Sequence, residues 1–229
     1  MTRPRAPRAA FLGPVLVLAA AAVIGCGADG GTAASTTRTL TAVDAVDAEG
    51  ALRVVVVRGQ RATVRVDGPR SEVEDVTVDV EDGTLRLDGD DDDGLFGIGT
   101  GDRATVTVTL PRLRAVDVGG AVDLRLDDLA GEDLELRAAG GSDVAGSGSV
   151  EELTATTSGG ADVDLGELVA RDVTLAVSGG ADVTVHARHA LDVDVSGGGD
   201  VAYAGDPKVT QRLSAGADLR RKEPRGSRP

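Results

Sequence analysis

Ser178-Gly179-Gly180-Ala181-Asp182-Val183-Thr184-Val185 is the stretch on which the architecture turns. It opens with two glycines, which tolerate backbone angles other residues avoid. It then alternates Ala, Val and Val with Asp and Thr, as a strand with one buried side does. The same phrase recurs as GGAVDL at 119–124, GGSDV at 140–144, GGADV at 159–163, GGGDV at 197–201 and AGADL at 215–219, the first copy holding one residue more before its acid. Aligned on the acid, the copies give Asp123, Asp143, Asp162, Asp182, Asp200 and Asp218, at intervals of 20, 19, 20, 18 and 18. A β-type repeat near 20 residues marks a solenoid, because a single coil cannot bury its inner face alone. The inward set reads Leu153, Ala155, Thr157, Gly159, Ala161, Val163 and Leu165 in one coil. Leu191, Val193, Val195, Gly197, Gly199, Val201 and Tyr203 give it two coils later. Val and Leu then fill a narrow core, and the inward Gly and Ala mark its tight corners.

Before the repeat the pattern is also of strands. Leu52–Val57 and Ala62–Val66 are Val-rich runs joined by Arg58-Gly59-Gln60, the form of a hairpin. Val76, Val78 and Val80 alternate with polar residues up to Asp82-Gly83, a turn pair that accepts positive φ, before Leu85-Arg86-Leu87. Thr105–Leu110 is a β-branched run closed by Pro111. No stretch holds a 3.6-residue period, so little helix is expected. The predicted class is all-β: strands and hairpins first, then a parallel β-helix of about 18–20 residues per coil.

Composition agrees and excludes several functions. Of 229 residues, 24 are Lys or Arg and 38 are Asp or Glu, a net charge of −14; aromatics make up 1 %. Nucleic-acid binding needs clustered cations and commonly stacking rings, so it is excluded. One Cys rules out a disulfide scaffold.

That Cys has another use. Arg3, Arg5 and Arg8 precede an uncharged, mostly apolar stretch from Ala9 to Gly25, which ends Val23-Ile24-Gly25-Cys26. A signal segment closing on a small residue and Cys resembles a bacterial lipobox: residues 1–25 are a lipoprotein signal peptide and Cys26 is the lipidation site. An uncleaved signal anchor and an ordinary secretory signal cut near Ala20 and Ala22 are the alternatives. Cleavage would leave 21 basic against 38 acidic side chains, a charge of −17. The expected partner at this end is the membrane, and the expected location is extracytoplasmic, anchored by lipid. Residues 26–38 read as the lipidated Cys and a flexible tether, 39–222 as the β-solenoid domain, and 223–229 as a disordered basic tail.

The repeated SGGADV and SGGGDV phrases, with Tyr203-Ala-Gly205-Asp-Pro207-Lys208-Val209 and Leu213-Ser-Ala-Gly-Ala-Asp-Leu219, resemble the putative auto-transporter adhesin, head GIN domain family. Val78-Asp-Val80-Glu-Asp-Gly83-Thr84-Leu85-Arg-Leu87 and Val106-Thr-Val108-Thr-Leu110-Pro111 match that family's first half. The likeness runs from about Thr39 to Lys222. It implies a right-handed parallel β-helix, similar in outline to pectin-lyase solenoids but without their catalytic residues. It further implies a role in adhesion at the cell surface, toward a glycan or protein ligand, by a chain that is not an enzyme.

Among candidate chemical groups the six repeated acids come first. Stacked about 4.8 Å apart, neighbouring carboxylates repel by about 0.9 kcal/mol in water. Turn hydrogen bonds to backbone N–H groups would offset that repulsion, as Asp beside Gly commonly forms. Bound Ca²⁺ would offset it too, although this repeat has one Gly pair per coil where calcium β-rolls have two. No other cofactor is expected. Asp90–Asp93 fails the EF-hand pattern, since counting from Asp88 the sixth residue is Asp93 and the twelfth is Gly99. His186 and His189 fall in an expected loop, and Gly146-Ser147-Gly148 lacks the helix that a nucleophile elbow needs. Ser158, Ser178, Ser196 and Ser214 recur with the period, which points to structure. A carbohydrate-active enzyme using paired carboxylates, and a calcium-dependent surface module, are the alternatives to a non-catalytic binding domain.

Overall fold

The computed structural model describes residues 33–89, 103–214 and 216–222. Within them the chain is nearly all strand, curled into a β-solenoid of about 5 turns. The regular part consists of β9 (Asp123–Ala138), β10 (Asp143–Gly159), β11 (Asp162–Gly179) and β12 (Asp182–Gly197). Each bends through bulges, so that its first part lies on one wall and its last part on the next. Parallel register joins Asp123 to Asp143, Asp162 and Asp182. The last coil is split into β13 (Asp200–Ala204), β14 (Lys208–Leu213) and β15 (Asp218–Arg221). These continue the register through Asp200 to Asp218 and from Leu191 to Val209.

The first half enters the same solenoid out of chain order. β2 (Ala45–Glu49) lies in parallel between β6 (Thr84–Asp88) and β8 (Ala115–Val118), while β3 (Arg53–Arg58) lies in parallel between β7 (Thr105–Leu110) and β9. The coil formed by β2 and β3 is therefore flanked by coils that follow it in sequence. Antiparallel strands complete this end. β4 (Thr63–Pro69) covers β7, β1 (Ala33–Thr39) covers β4, and β5 (Thr77–Glu81) covers β6. The one helix among the described residues, α1 (Arg70–Asp75), links β4 to β5.

Several expectations hold. β5 and β6 form a hairpin through Asp82 and Gly83, both at positive φ, and Thr105–Leu110 is a strand. Three need correction. β3 and β4 do not pair with each other, because β7 lies between them. The segment joining them passes the end of β7, where Gly59 N–H donates to the Leu110 carbonyl at 2.9 Å. Residues 33–38, expected within the tether, belong to β1; their Ser/Thr-rich run takes up the free hydrogen-bonding edge of β4. His186 and His189 lie within β12, which bends without leaving the sheet. The signal peptide, Cys26, Asp90–Asp93 and the tail 223–229 lie outside the described residues.

Val and Leu fill the interior, as the alternation requires. Leu124, Leu126, Leu165, Val163, Val185, Leu191 and Val193 are all fully buried. The volumes trade across the corner. After it the inward residues run Leu52, Val122, Ser142, Ala161, Ala181 and Gly199 along the stack. Before it they run Ala48, Val118, Ala138, Thr157, Val177 and Val195. Smaller faces larger at Ala48/Leu52, Thr157/Ala161, Val177/Ala181 and Val195/Gly199, whereas Val118/Val122 are matched and Ala138/Ser142 are both small. A Cβ on Gly199 would stand 2.7 Å from the Ala181 carbonyl oxygen and 3.1 Å from Val177 Cγ1, so backbone and side chain both close that gap.

Candidate functional site

The glycine corner is built by backbone. Gly120, Gly140, Gly159, Gly179 and Gly197 stack coil upon coil, all at positive φ. The carbonyl of each of the first four accepts a hydrogen bond from the residue that follows its neighbour in the next coil, and that of Gly197 accepts from Ser214 Oγ–H at 2.9 Å. Gly141 N–H donates to Gly120 at 3.0 Å, Gly160 to Gly140 at 2.9 Å and Gly180 to Gly159 at 2.9 Å. A Cβ at Gly179 would lie 2.5 Å from the Gly159 carbonyl oxygen. These glycines are exposed, except for half-buried Gly197. The reason for glycine is therefore φ and close backbone approach, not an interior too narrow for a side chain. That corrects the inward assignment of Gly159 and Gly197. The first copy is also in register without an extra residue, once Gly120 rather than Gly119 is aligned with Gly140.

One member of the series was missed in the sequence. Glu49-Gly50-Ala51-Leu52-Arg53 makes the same corner: Gly50 has φ +91°, and its carbonyl accepts from Ala121 N–H at 3.0 Å. Arg53 stands in the acid column, directly opposite Asp123. Only the single Gly three residues before Arg53 could have signalled it, since Arg53 lies 70 residues before Asp123 and outside the repeat period.

The column thus runs Arg53, Asp123, Asp143, Asp162, Asp182, Asp200, Asp218, in unbroken register. Its carboxylates are exposed or half-buried. The side-chain hydrogen bond drawn to it among the described residues comes from Arg53, whose Nε–H donates to Asp123 Oδ2 at 3.2 Å. Partial burial, then the charges of Asp143, Asp182 and Asp164, raise the Asp162 carboxyl above its usual range. Asp117, on the wall before the corner, is raised by burial and by Asp47. Among the described residues no group of three or more His, Cys, Asp or Glu side chains converges as metal ligands would.

The other candidate groups fall into structural places. Ser178 Oγ–H donates to the Thr157 carbonyl at 3.2 Å and Ser196 Oγ–H to Val177 at 3.4 Å, each tying one coil to the coil before it. Ser214 accepts from Gly197 N–H at 2.8 Å. Ser147 Oγ accepts from Asp128 N–H at 3.2 Å across a bulge. His189 Nδ1 meets Asp172 Oδ1 at 2.7 Å on the surface, whereas His186 lines a different groove with Asp164, Glu167, Asp206, Arg221 and Lys222, so the two histidines serve no common site. That groove has a volume of about 680 Å³ and holds both charge signs. Among the described residues the two raised carboxyls, Asp117 and Asp162, each stand beside like-charged neighbours on the sheet.

Comparison with known proteins follows the same lines. The sequence profile described as putative auto-transporter adhesin, head GIN domain matches residues 42–207. No curated protein matches the chain. Among solved structures, a putative adhesin from Bacteroides fragilis is similar with TM-score 0.63 and 20 % identity, over 83 % of this chain and 93 % of that one. A putative adhesin from Parabacteroides distasonis is similar with TM-score 0.51 and 18 % identity, over 84 % of this chain and 98 % of that one. At these identities the likeness speaks to fold.

Proposed function

Since the chain belongs to the putative auto-transporter adhesin, head GIN domain family, we propose that it is a non-catalytic binding module of the cell surface, held to the membrane by lipid on Cys26. The binding surface in this reading is the acid column with the walls beside it. One observation carries the reading. The corner at Gly50 is made with Arg53 where the others have Asp, so the carboxylates are not required for the turn and are free to meet a ligand. A repeated exposed charge suits an extended partner of opposite sign, met at many weak points. Regularity also argues against catalysis, which needs one carboxylate set apart from its neighbours by its surroundings.

The test uses cells that display the full chain, measured for adhesion to arrayed glycans and proteins. The reading expects adhesion above that of cells lacking the chain, weakened when Asp143, Asp162, Asp182 and Asp200 are changed to Asn. It also expects Cys26→Ser to shift the chain out of the membrane fraction. Equal adhesion with and without the chain would overturn the binding role. Release of sugar fragments from an arrayed polysaccharide would favour the carbohydrate-active enzyme.

A further inference from the structure

The two ends of one wall are complementary. The wall before the corner begins at β5, which covers β6, and ends at β14, which pairs with β12 alone among the described residues. Both are edge strands, and an edge carries backbone N–H and C=O groups able to pair with another strand. The two large apolar side chains most exposed among the described residues sit one on each: Val80 on β5 at 43 % and Leu213 on β14 at 37 %. Their charges are opposite. β5 carries Asp79 and Glu81, whereas β14 carries Lys208 and Arg212; Glu81 meets Arg86 at 3.3 Å and Arg212 meets Asp194 at 3.1 Å in exposed ion pairs that the junction would exchange.

Strand parity makes these features coincide. Val78 and Val80 stand opposite buried Leu87 and Leu85, so they point inward; Val209, Gln211 and Leu213 stand opposite Leu191, Val193 and Val195 and do the same. Because the side-chain period is two, any register that sets the inward residues of β5 against those of β14 also sets Asp79 and Glu81 against Lys208, Thr210 and Arg212. β5 runs antiparallel to the wall and β14 runs with it, so copies stacked along one axis would bring them together as an antiparallel pair. Two copies of β14 would instead oppose cation to cation, which disfavours a two-fold end-to-end dimer.

We propose that this protein associates head to tail with second copies of itself, the β14 edge of one molecule pairing with the β5 edge of the next. The contact is heterologous, and because the copies stack along the solenoid axis it extends into a filament instead of closing into a ring. The other wall carries two added strands, β4 and β1, and the junction is made along the β5–β14 wall only. Arg38 Nη1–H donates to the Val78 carbonyl at 3.2 Å, an exposed contact the incoming strand displaces. The proposal is independent of what the acid column binds.

Sedimentation of the full chain in detergent micelles, over a range of concentration and salt, tests it. Growth beyond the dimer with concentration is expected, reduced at high salt because exposed ion pairs are screened. Lys208→Glu alone and Glu81→Lys alone should each weaken association by roughly tenfold or more. An equimolar mixture of the two should restore it, since every junction in an alternating filament then pairs opposite signs. Val80→Ser, which leaves charge untouched, should also weaken it, and circular dichroism of each variant should stay that of a folded β protein. A monomer at every concentration, a closed dimer that grows no further, or swaps that fail to rescue each other would overturn the proposal. Unchanged association of Asp162→Asn would show that this contact stands apart from the acid column.

Discussion

The corner at Gly50 and the corner at Gly179 can be compared atom for atom, for they occupy the same place in the same stack. Both hold glycine at positive φ, both offer its carbonyl to the next coil, and both pack an apolar residue just inside, Leu52 at one and Ala181 at the other. Around the glycine their sequences differ. One reads Glu49-Gly50-Ala51-Leu52-Arg53 and the other Ser178-Gly179-Gly180-Ala181-Asp182. The second glycine and the acid can be exchanged for Ala and Arg without loss of the turn. The shape therefore belongs to one glycine per coil and the inward side chain, and the acid belongs to the surface.

The largest effect expected from this comparison separates two adjacent residues. Gly179→Ala places a Cβ 2.5 Å from the Gly159 carbonyl oxygen at φ +101°, and should cost about 2–4 kcal/mol in denaturant unfolding. Gly180→Ala meets nothing within 4 Å and should be neutral or stabilising by up to about 1 kcal/mol. Equal losses at both positions would break the assignment of the turn to a single glycine.

Next in size are two hydroxyls inside the corner. Ser142 Oγ and Thr157 Oγ1 are fully buried without a hydrogen-bond partner, where other coils place Ala161 and Val177. Thr157→Val and Ser142→Ala should each stabilise by about 1 kcal/mol, read as a higher denaturation midpoint at unchanged slope.

Arg53→Asp would make the odd corner match the others in sign. Removing the exposed pair to Asp123 and adding one more repelling neighbour should cost about 0.5–1 kcal/mol without loss of fold. A comparable loss in 1 M salt would contradict an electrostatic origin.

The smallest effect is in pH. The Asp162 carboxyl is raised in the folded chain, so the folded state binds its proton more readily than the unfolded state does. Stability owed to this group therefore falls as pH rises from the usual carboxylate range through the raised value. Asp67 is lowered, chiefly by its hydrogen bond with Arg65, so its contribution is present at neutral pH and lost on acidification through the lowered value. The two oppose, so the difference between wild type and Asp162→Asn is the quantity to measure. It should shrink as pH drops into the carboxylate range.

The solenoid was legible in the sequence because period and alternation are properties of neighbours along the chain. The same holds for the β5–β6 hairpin, where Asp82-Gly83 carries its own turn. The order of the first coils was not legible. Nothing local in Val54–Val57 tells that β7 will lie on one side and β9 on the other, since pairing partners are chosen by fit at a distance. Arg53 escaped for a related reason: a search keyed on the acid passes over the copy that lacks it. The exposed place of Gly159 was hidden too, because strict alternation does not hold through a corner.

The claim that the carboxylates are surplus to the turn can be tested in one titration. Asp143, Asp162, Asp182 and Asp200 are replaced together by Asn in the full chain, and its denaturation midpoint is compared with wild type at neutral pH and low salt. A midpoint equal to or above that of wild type, with the same slope, is the predicted result. A clear drop would mean that the acids hold the corner together after all.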